Sequence, residues 1–257
     1  MCINTYITWS RQERKGDDSV QSLVSILESY RGRDKVIRTL CYGSQLVGGI
    51  LSRKEPSELG KSLLLLSAQL SHCRTVLRLF DDLSMLSYSW SYGLGASEED
   101  PGLRWMGVMN NIADQLYYPL EHIAWAADAH LIRAKSDKWW TLSTVAWGTS
   151  LLLGILRSVR ILMLLRKKLR QNGRTVQNNV SETAVGRTTE IQEEVQGEVL
   201  SIICSMADLS NAIHWMPPGF LWSGCFPNWL VGLLGIVSSL IGLYQMCSEI
   251  QLLMHNS

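Results

Sequence analysis

The chain predicts an all-α integral membrane protein in which amphipathic N-terminal helices lead into two transmembrane helices. Three observations predict it. Apolar residues recur every three or four positions through the N-terminal half, the period of a helix with one buried or lipid-facing side. Two long stretches beyond Lys138 carry no formal charge. The charges are also unevenly shared. The whole chain holds 24 basic and 23 acidic residues; 16 of each fall in residues 1–138, leaving 8 and 7 for residues 139–257. This near-cancellation leaves no global field pointing to nucleic acid or an acidic substrate.

Residues 1–22 read as an N-terminal extension. Met1–Lys15 lacks the apolar core of a secretory signal, and a polar run from Arg11 to Asp18 precedes the first periodic sequence. Residues 23–138 form an amphipathic helical region. Its first helix carries Leu23, Ile26, Tyr30, Ile37, Leu40, Val47 and Leu51 on one side and bunches Arg31, Arg33, Asp34, Lys35 and Arg38 into a turn or two. Gly48-Gly49 and Pro56 are expected to end it.

A second helix is predicted over residues 60–90. Leu63, Leu66, Leu70, Cys73, Leu77 and Phe80 follow a 3,4,3,4,3 spacing, and Val76 widens that stripe. Ser67, Ser71, Arg74, Thr75, Arg78 and Asp82 fall on the opposite arc, where Arg78 is placed to pair with Asp82. Two environments suit such a stripe: the core of a helical bundle, or a lipid surface with Arg74 and Arg78 at the headgroups. A third helix is predicted from about Leu103 to Ala134, kinked at Pro119. It carries Glu121 and Asp128 on one face, where two acids seven residues apart ordinarily meet water.

The first span is predicted at residues 139–156. These eighteen uncharged residues reach about 27 Å, close to the thickness of a bilayer core. Trp139 and Trp140 open it, where indoles favour the interface, and Arg157, Arg160, Arg166, Lys167, Lys168, Arg170 and Arg174 follow it. Residues 157–199 read as a basic and then polar loop. Residues 200–228 read as an amphipathic helix followed by an interfacial segment rich in Pro, Gly and Trp. The second span, residues 229–247, reaches about 28 Å, and residues 248–257 form a short tail. Within that span Gly232, Gly235, Ser239 and Gly242 repeat at 3, 4 and 3, marking a face where another helix approaches closely.

No catalytic constellation is present in the sequence. It has no phosphate-cradling glycine loop, no nucleophile elbow and no HExxH. The six cysteines form no CxxC pair, and no metal or cofactor is expected. Apart from Tyr244 and Gln245 near the end of the second, the spans carry only Ser and Thr as polar groups. The chain therefore reads as non-enzymatic.

The string ESYRGRDK from Glu28 to Lys35, with Ile37, Arg38 and Tyr42, resembles the N-terminal signature of the peroxin-11 family of peroxisomal membrane proteins. Its signature residues here are Tyr30, Arg31, Gly32, Arg33, Asp34 and Lys35. The segment Gly232–Gln245 is similar to that family's closing segment. QLSHCRTVLRLFDDL at 69–83, ADQLYYPLEHIAWAADA at 113–129 and KWWTLSTVAW at 138–147 fit its gamma member closely. The resemblance implies a multi-pass protein of the peroxisomal membrane that promotes membrane protrusion, elongation and fission. It implies an amphipathic helix near Leu63–Leu83 that enters the cytosolic leaflet. It further implies self-association, association with sister family members, and cooperation with tail-anchored fission adaptors and a dynamin-related GTPase. Both termini then face the cytosol, whereas the basic residues after Leu156 would by the charge rule hold the connecting loop there. The alternative function is an oligomeric pore or transporter of the peroxisomal membrane.

Overall fold

The computed structural model describes residue 24 and residues 27–53, 57–178 and 182–255. The predicted extension, residues 1–22, lies outside the described residues. Seven helices follow in order among those described: α1 (Tyr30–Leu51), α2 (Glu58–Arg78), α3 (Asp82–Tyr92), α4 (Pro101–Asp128), α5 (Ser136–Asn178), α6 (Glu182–His214) and α7 (Asn228–His255). The described residues contain no strand.

α1 starts where the Ser29 hydroxyl accepts the Gly32 N–H at 3.0 Å, satisfying one of the first turn's free donors. It ends at Leu51, as predicted from a helix read over residues 20–51, and runs through Gly48-Gly49 on the way. Both glycines are buried at contacts. A Cβ on Gly48 would lie 2.9 Å from the Gly60 carbonyl oxygen, and one on Gly49 would lie 2.9 Å from the Trp229 Cα. The missing side chains let α1 touch α2 on one flank and α7 on the other.

The helix predicted over 60–90 is two helices. Leu79, Phe80 and Asp81 donate to carbonyls three residues back, the tight winding that commonly ends a helix. Asp82 then falls in the first turn of α3, where an acid complements the helix dipole. α4 is opened by Asp100, whose side chain accepts the Leu103 N–H at 3.0 Å, with Pro101 at the first helical position. It ends at Asp128, six residues short of the predicted boundary, and His130 follows with a φ of 58°.

The loop predicted at 157–199 is mostly helix. α5 continues past the span to Asn178, about 64 Å in all by its 43 residues, and α6 begins at Glu182. The segment is rich in Leu, Arg, Lys, Gln and Glu, all strong helix formers. Arg157 and Arg160 are held by Glu98 at 2.6 Å and Asp100 at 2.8 Å, in and beside the loop that leads into α4. The Pro- and Trp-bearing stretch after α6 forms turns, as its composition predicts, while the predicted tail is helical as far as His255.

The helices pack as a path: α2 on α1, α1 on α7, α7 on α6, α6 on α5, and α5 on α4. α3 rests on α4, where Gln115 donates to Ser89 at 3.3 Å and His122 meets Asp82 at 3.2 Å. An ion pair between Arg78 of α2 and Glu121 of α4 joins the two ends of the path.

Candidate membrane-facing surface

Polar residues share the interior with small and apolar ones, and large apolar side chains stand outside. Fully or nearly fully buried positions include Ser67, Thr75, Asn111, Glu121, Ser143, Asp208, Asn211, Ser238 and Ser239. Trp105, Met109, Ile112 and Leu116 stand exposed along α4 at spacings of 4, 3 and 4. Leu142, Val145, Leu152, Leu156 and Met163 do the same along α5, and Val199, Ile203 and Met206 along α6. Stripes this long on successive helices would be severe aggregation liabilities in water. In lipid they are the expected exterior, with small and polar residues at the helix contacts.

Two helices among the described residues are long and apolar enough to cross a bilayer: Ser136–Gln171 within α5 and Asn228–Ser248 within α7. Only 11% of the apolar window in the first is buried within the chain, and 28% in the second. The core helix of a soluble protein would be mostly covered.

On α2 the predicted stripe lies at the flank and outer side. Leu66, Cys73 and Phe80 are exposed, and Leu63, Leu70, Val76 and Leu77 are half-buried. The predicted polar arc, however, faces inward, and this corrects the roles expected of Arg74 and Arg78. Neither presents its charge to headgroups. Arg74 pairs with Asp34 of α1 at 2.8 Å, and Arg78 pairs with Glu121 of α4 at 2.5 Å rather than with Asp82. Tyr117 donates a further hydrogen bond to Glu121 at 2.8 Å. The physical reason is that each guanidinium finds a carboxylate at a helix contact, where a charge left unpaired would be costly.

Glu121 and Asp128 correct a second expectation, that they share a solvated face. Glu121 is 2% exposed and fully engaged by Arg78 and Tyr117, while Asp128 is exposed and accepts the Trp140 indole N–H at 2.7 Å. They do not converge on a common space where a substrate would meet both.

The four small residues of the second span meet the signature helix. Gly232 lies against the Leu46 backbone and Gly235 against the Tyr42 ring; Ser239 is buried, and Gly242 accepts a hydrogen bond from Lys35 Nζ at 2.7 Å. The signature residues thus act chiefly within the chain. The Tyr30 hydroxyl donates to the Leu77 carbonyl at 2.7 Å, and partial burial and then the neighbouring Asp81 push its pKa up to about 12. Gly32 is buried, Asp34 holds Arg74, and Arg31 and Arg33 are exposed.

Sequence reasoning passed over the centre of this arrangement. Arg38 Nη2 bonds both carboxylate oxygens of Asp208 on α6 at 2.6 Å and the Ser238 hydroxyl on α7 at 2.8 Å. One guanidinium therefore ties three helices together. Its signal was present: Asp208 immediately precedes the long uncharged stretch, where an unpartnered acid would be costly. No group of three or more potential metal ligands occurs among the described residues.

Comparison with known proteins agrees with this geometry. The family model described as Peroxisomal biogenesis factor 11 (PEX11) matches residues 20–247. Peroxisomal membrane protein 11C of Homo sapiens is 52% identical over 229 residues, covering 88% of this chain and 94% of the human one. The Mus musculus protein of the same name is 50% identical over 225 residues, covering 87% and 92%. No solved structure matches the chain. The lipid-compatible exterior, the two apolar helices and a match over nearly the whole length lead to one conclusion: the chain belongs to the peroxisomal biogenesis factor 11 family, helical proteins of the peroxisomal membrane.

Proposed function

We propose that the chain acts without catalysis, promoting protrusion and elongation of the peroxisomal membrane and so proliferation and fission of the organelle. The observation that supports this most is the outward apolar side of α2 and its continuation in α3. Leu66, Phe80, Leu83 and Leu86 stand exposed on a body that the spans hold at the bilayer. Each such side chain gains about 1.5–3 kcal/mol on leaving water. An apolar edge held at one leaflet therefore enters it, expands it relative to the other and favours curvature. In this reading both termini face the cytosol. The protein associates with copies of itself and with sister family members, and tail-anchored fission adaptors and a dynamin-related GTPase complete division.

The test is Leu66→Asp combined with Phe80→Asp, expressed as a tagged full-length chain in cells carrying a peroxisomal marker. Both positions are exposed, so the substitutions remove little internal packing. The expected outcome is retained peroxisomal residence with loss of elongation at raised expression. Normal elongation by the double variant would refute the role of this edge. Protease protection of tags at the two ends tests the orientation separately.

A further inference from the structure

A cavity of about 930 Å³ lies between the α1–α2 pair and the α4–α5 pair, and the tip of α6 reaches it. It is at the upper end of the 300–1,000 Å³ typical of ligand sites. Its mouth carries the exposed residues Ser71, Asp137, Pro217 and Pro218.

The walls differ in charge. On one side stand Arg38, Arg74 and Arg78, each neutralised by a carboxylate: Asp208, Asp34 and Glu121 respectively. Arg38, whose side chain is 21% exposed, nevertheless lines the cavity. On the other side stands Asp114 of α4. It is half-buried and accepts from Asn110 Nδ2 at 2.8 Å, but has no cation within ion-pair distance among the described residues. A carboxylate withdrawn from water without a counter-ion is costly, and the cost falls sharply when a cation arrives. The same lining is rich in aromatic rings. Tyr117 and Tyr118 meet edge to face at 5.3 Å, and Trp147 stacks on Trp215 at 6.0 Å. Aromatic faces attract organic cations, quaternary ammonium above all.

The lining is therefore short of positive charge at Asp114 and Asp137, neither of which has an ion pair among the described residues, while the partly exposed Arg38 guanidinium remains within reach of an anion. An anionic ligand would meet arginines already paired and an unpaired acid. A ligand bearing both charges fits both ends. The cavity also borders the opening of the α5 span through Trp140, where an indole marks the membrane interface and headgroups reside.

We propose that this cavity binds a zwitterionic phospholipid headgroup of the choline or ethanolamine class. The ammonium sits by Asp114 among the tyrosines and tryptophans, and the phosphate faces Arg38. This site is inside the helical body and is separate from the outer apolar edge assigned to membrane shaping.

The test uses the purified full-length chain in mild detergent, with native mass spectrometry counting retained lipid. Phosphatidylcholine, phosphatidylglycerol and diacylglycerol are compared, with soluble glycerophosphocholine as competitor. One phosphatidylcholine per chain is expected, favoured at least about tenfold over the other two. Asp114→Asn is expected to lower its retention by a similar factor. Ile112→Ala, on the exposed side of the same helix, should leave it unchanged. Equal retention of all three lipids, or wild-type retention by Asp114→Asn, overturns the proposal. Displacement by glycerophosphocholine at matching concentration overturns the lipid as the source of the headgroup. The wild-type chain supplies a check that needs no variant: photoactivatable phosphatidylcholine should label residues 114–118 and 140–147. Labelling confined to the outer stripes would overturn the assignment.

Discussion

Breaking the ion pair between Arg38 and Asp208 should be among the most damaging single changes this fold can receive, and breaking it from both sides among the mildest. The two side chains are 21% and 8% exposed, and Arg38 reaches both carboxylate oxygens at 2.6 Å. Removing one partner of a buried pair costs about 3–5 kcal/mol, because the other charge is left uncompensated. Asp208→Ala should fall near the lower figure, since Arg38 is partly exposed and keeps Ser238. Arg38→Met should fall near the higher, because it strands a carboxylate that is almost wholly covered. The combined Arg38→Met, Asp208→Leu variant removes both charges and leaves apolar groups of similar size, so its loss should be only about 1 kcal/mol. Melting of the full-length protein in detergent measures this. At about 2–4 °C per kcal/mol for a chain of this size, each single variant should melt about 6–20 °C lower, and the double variant close to the parent. Additive losses in the double variant, or single losses within about 0.5 kcal/mol, would refute the reasoning.

Three further outcomes follow from the geometry. Gly235→Val places a Cβ inside the Tyr42 ring and should cost at least about 2 kcal/mol, with faster proteolysis of α1; Gly154→Ala, with nothing within 4 Å of the added carbon, should leave melting and proteolysis nearly unchanged. Glu121→Gln should destabilise by about 3 kcal/mol because it leaves Arg78 without its carboxylate, whereas Asp128→Asn, at an exposed site, should stay within about 0.5 kcal/mol in the same melt. The Arg160 guanidinium and then the Leu103 amide hold the Asp100 carboxyl below its ordinary range. Its contribution is therefore present above an unfolded pKa near 3.9 and is lost as pH falls through the folded value. Exchange of the Leu103 amide, corrected for intrinsic pH dependence, should be level down to about pH 4 and rise below it, and Asp100→Asn should flatten that profile.

The helical class, both spans and the small-residue face were legible because each rests on local pattern: absence of charge over a bilayer's length, or glycine at helical spacing. Which side of α2 faces inward was not. Periodicity locates an apolar arc and a polar arc on a helix but does not say which medium surrounds them. In water the Leu66 arc would turn in; here Ser67, Thr75 and Arg78 do, because their partners lie on α1 and α4. The same ambiguity hid Glu121, whose partner is 43 residues away. The stretch after Leu156 misled for a different reason. Its cationic residues suggested a loop, yet Arg, Lys and Leu are good helix formers, and nothing local breaks the helix begun in the span.

The hydrogen bond from Lys35 to Gly242 joins residues 207 positions apart, and Arg38 reaches Ser238 across 200. The signature helix leaves the ribosome well before the face it rests on. Until then Gly49 and Tyr42 have no α7 to close on, so α1 must wait through the synthesis of the helices between. Contacts of such long range form slowly and leave apolar surface exposed in the interval. A nascent chain of this kind needs shelter from water, and a premature stop before Trp229 would yield a product whose most distinctive helix has nowhere to dock.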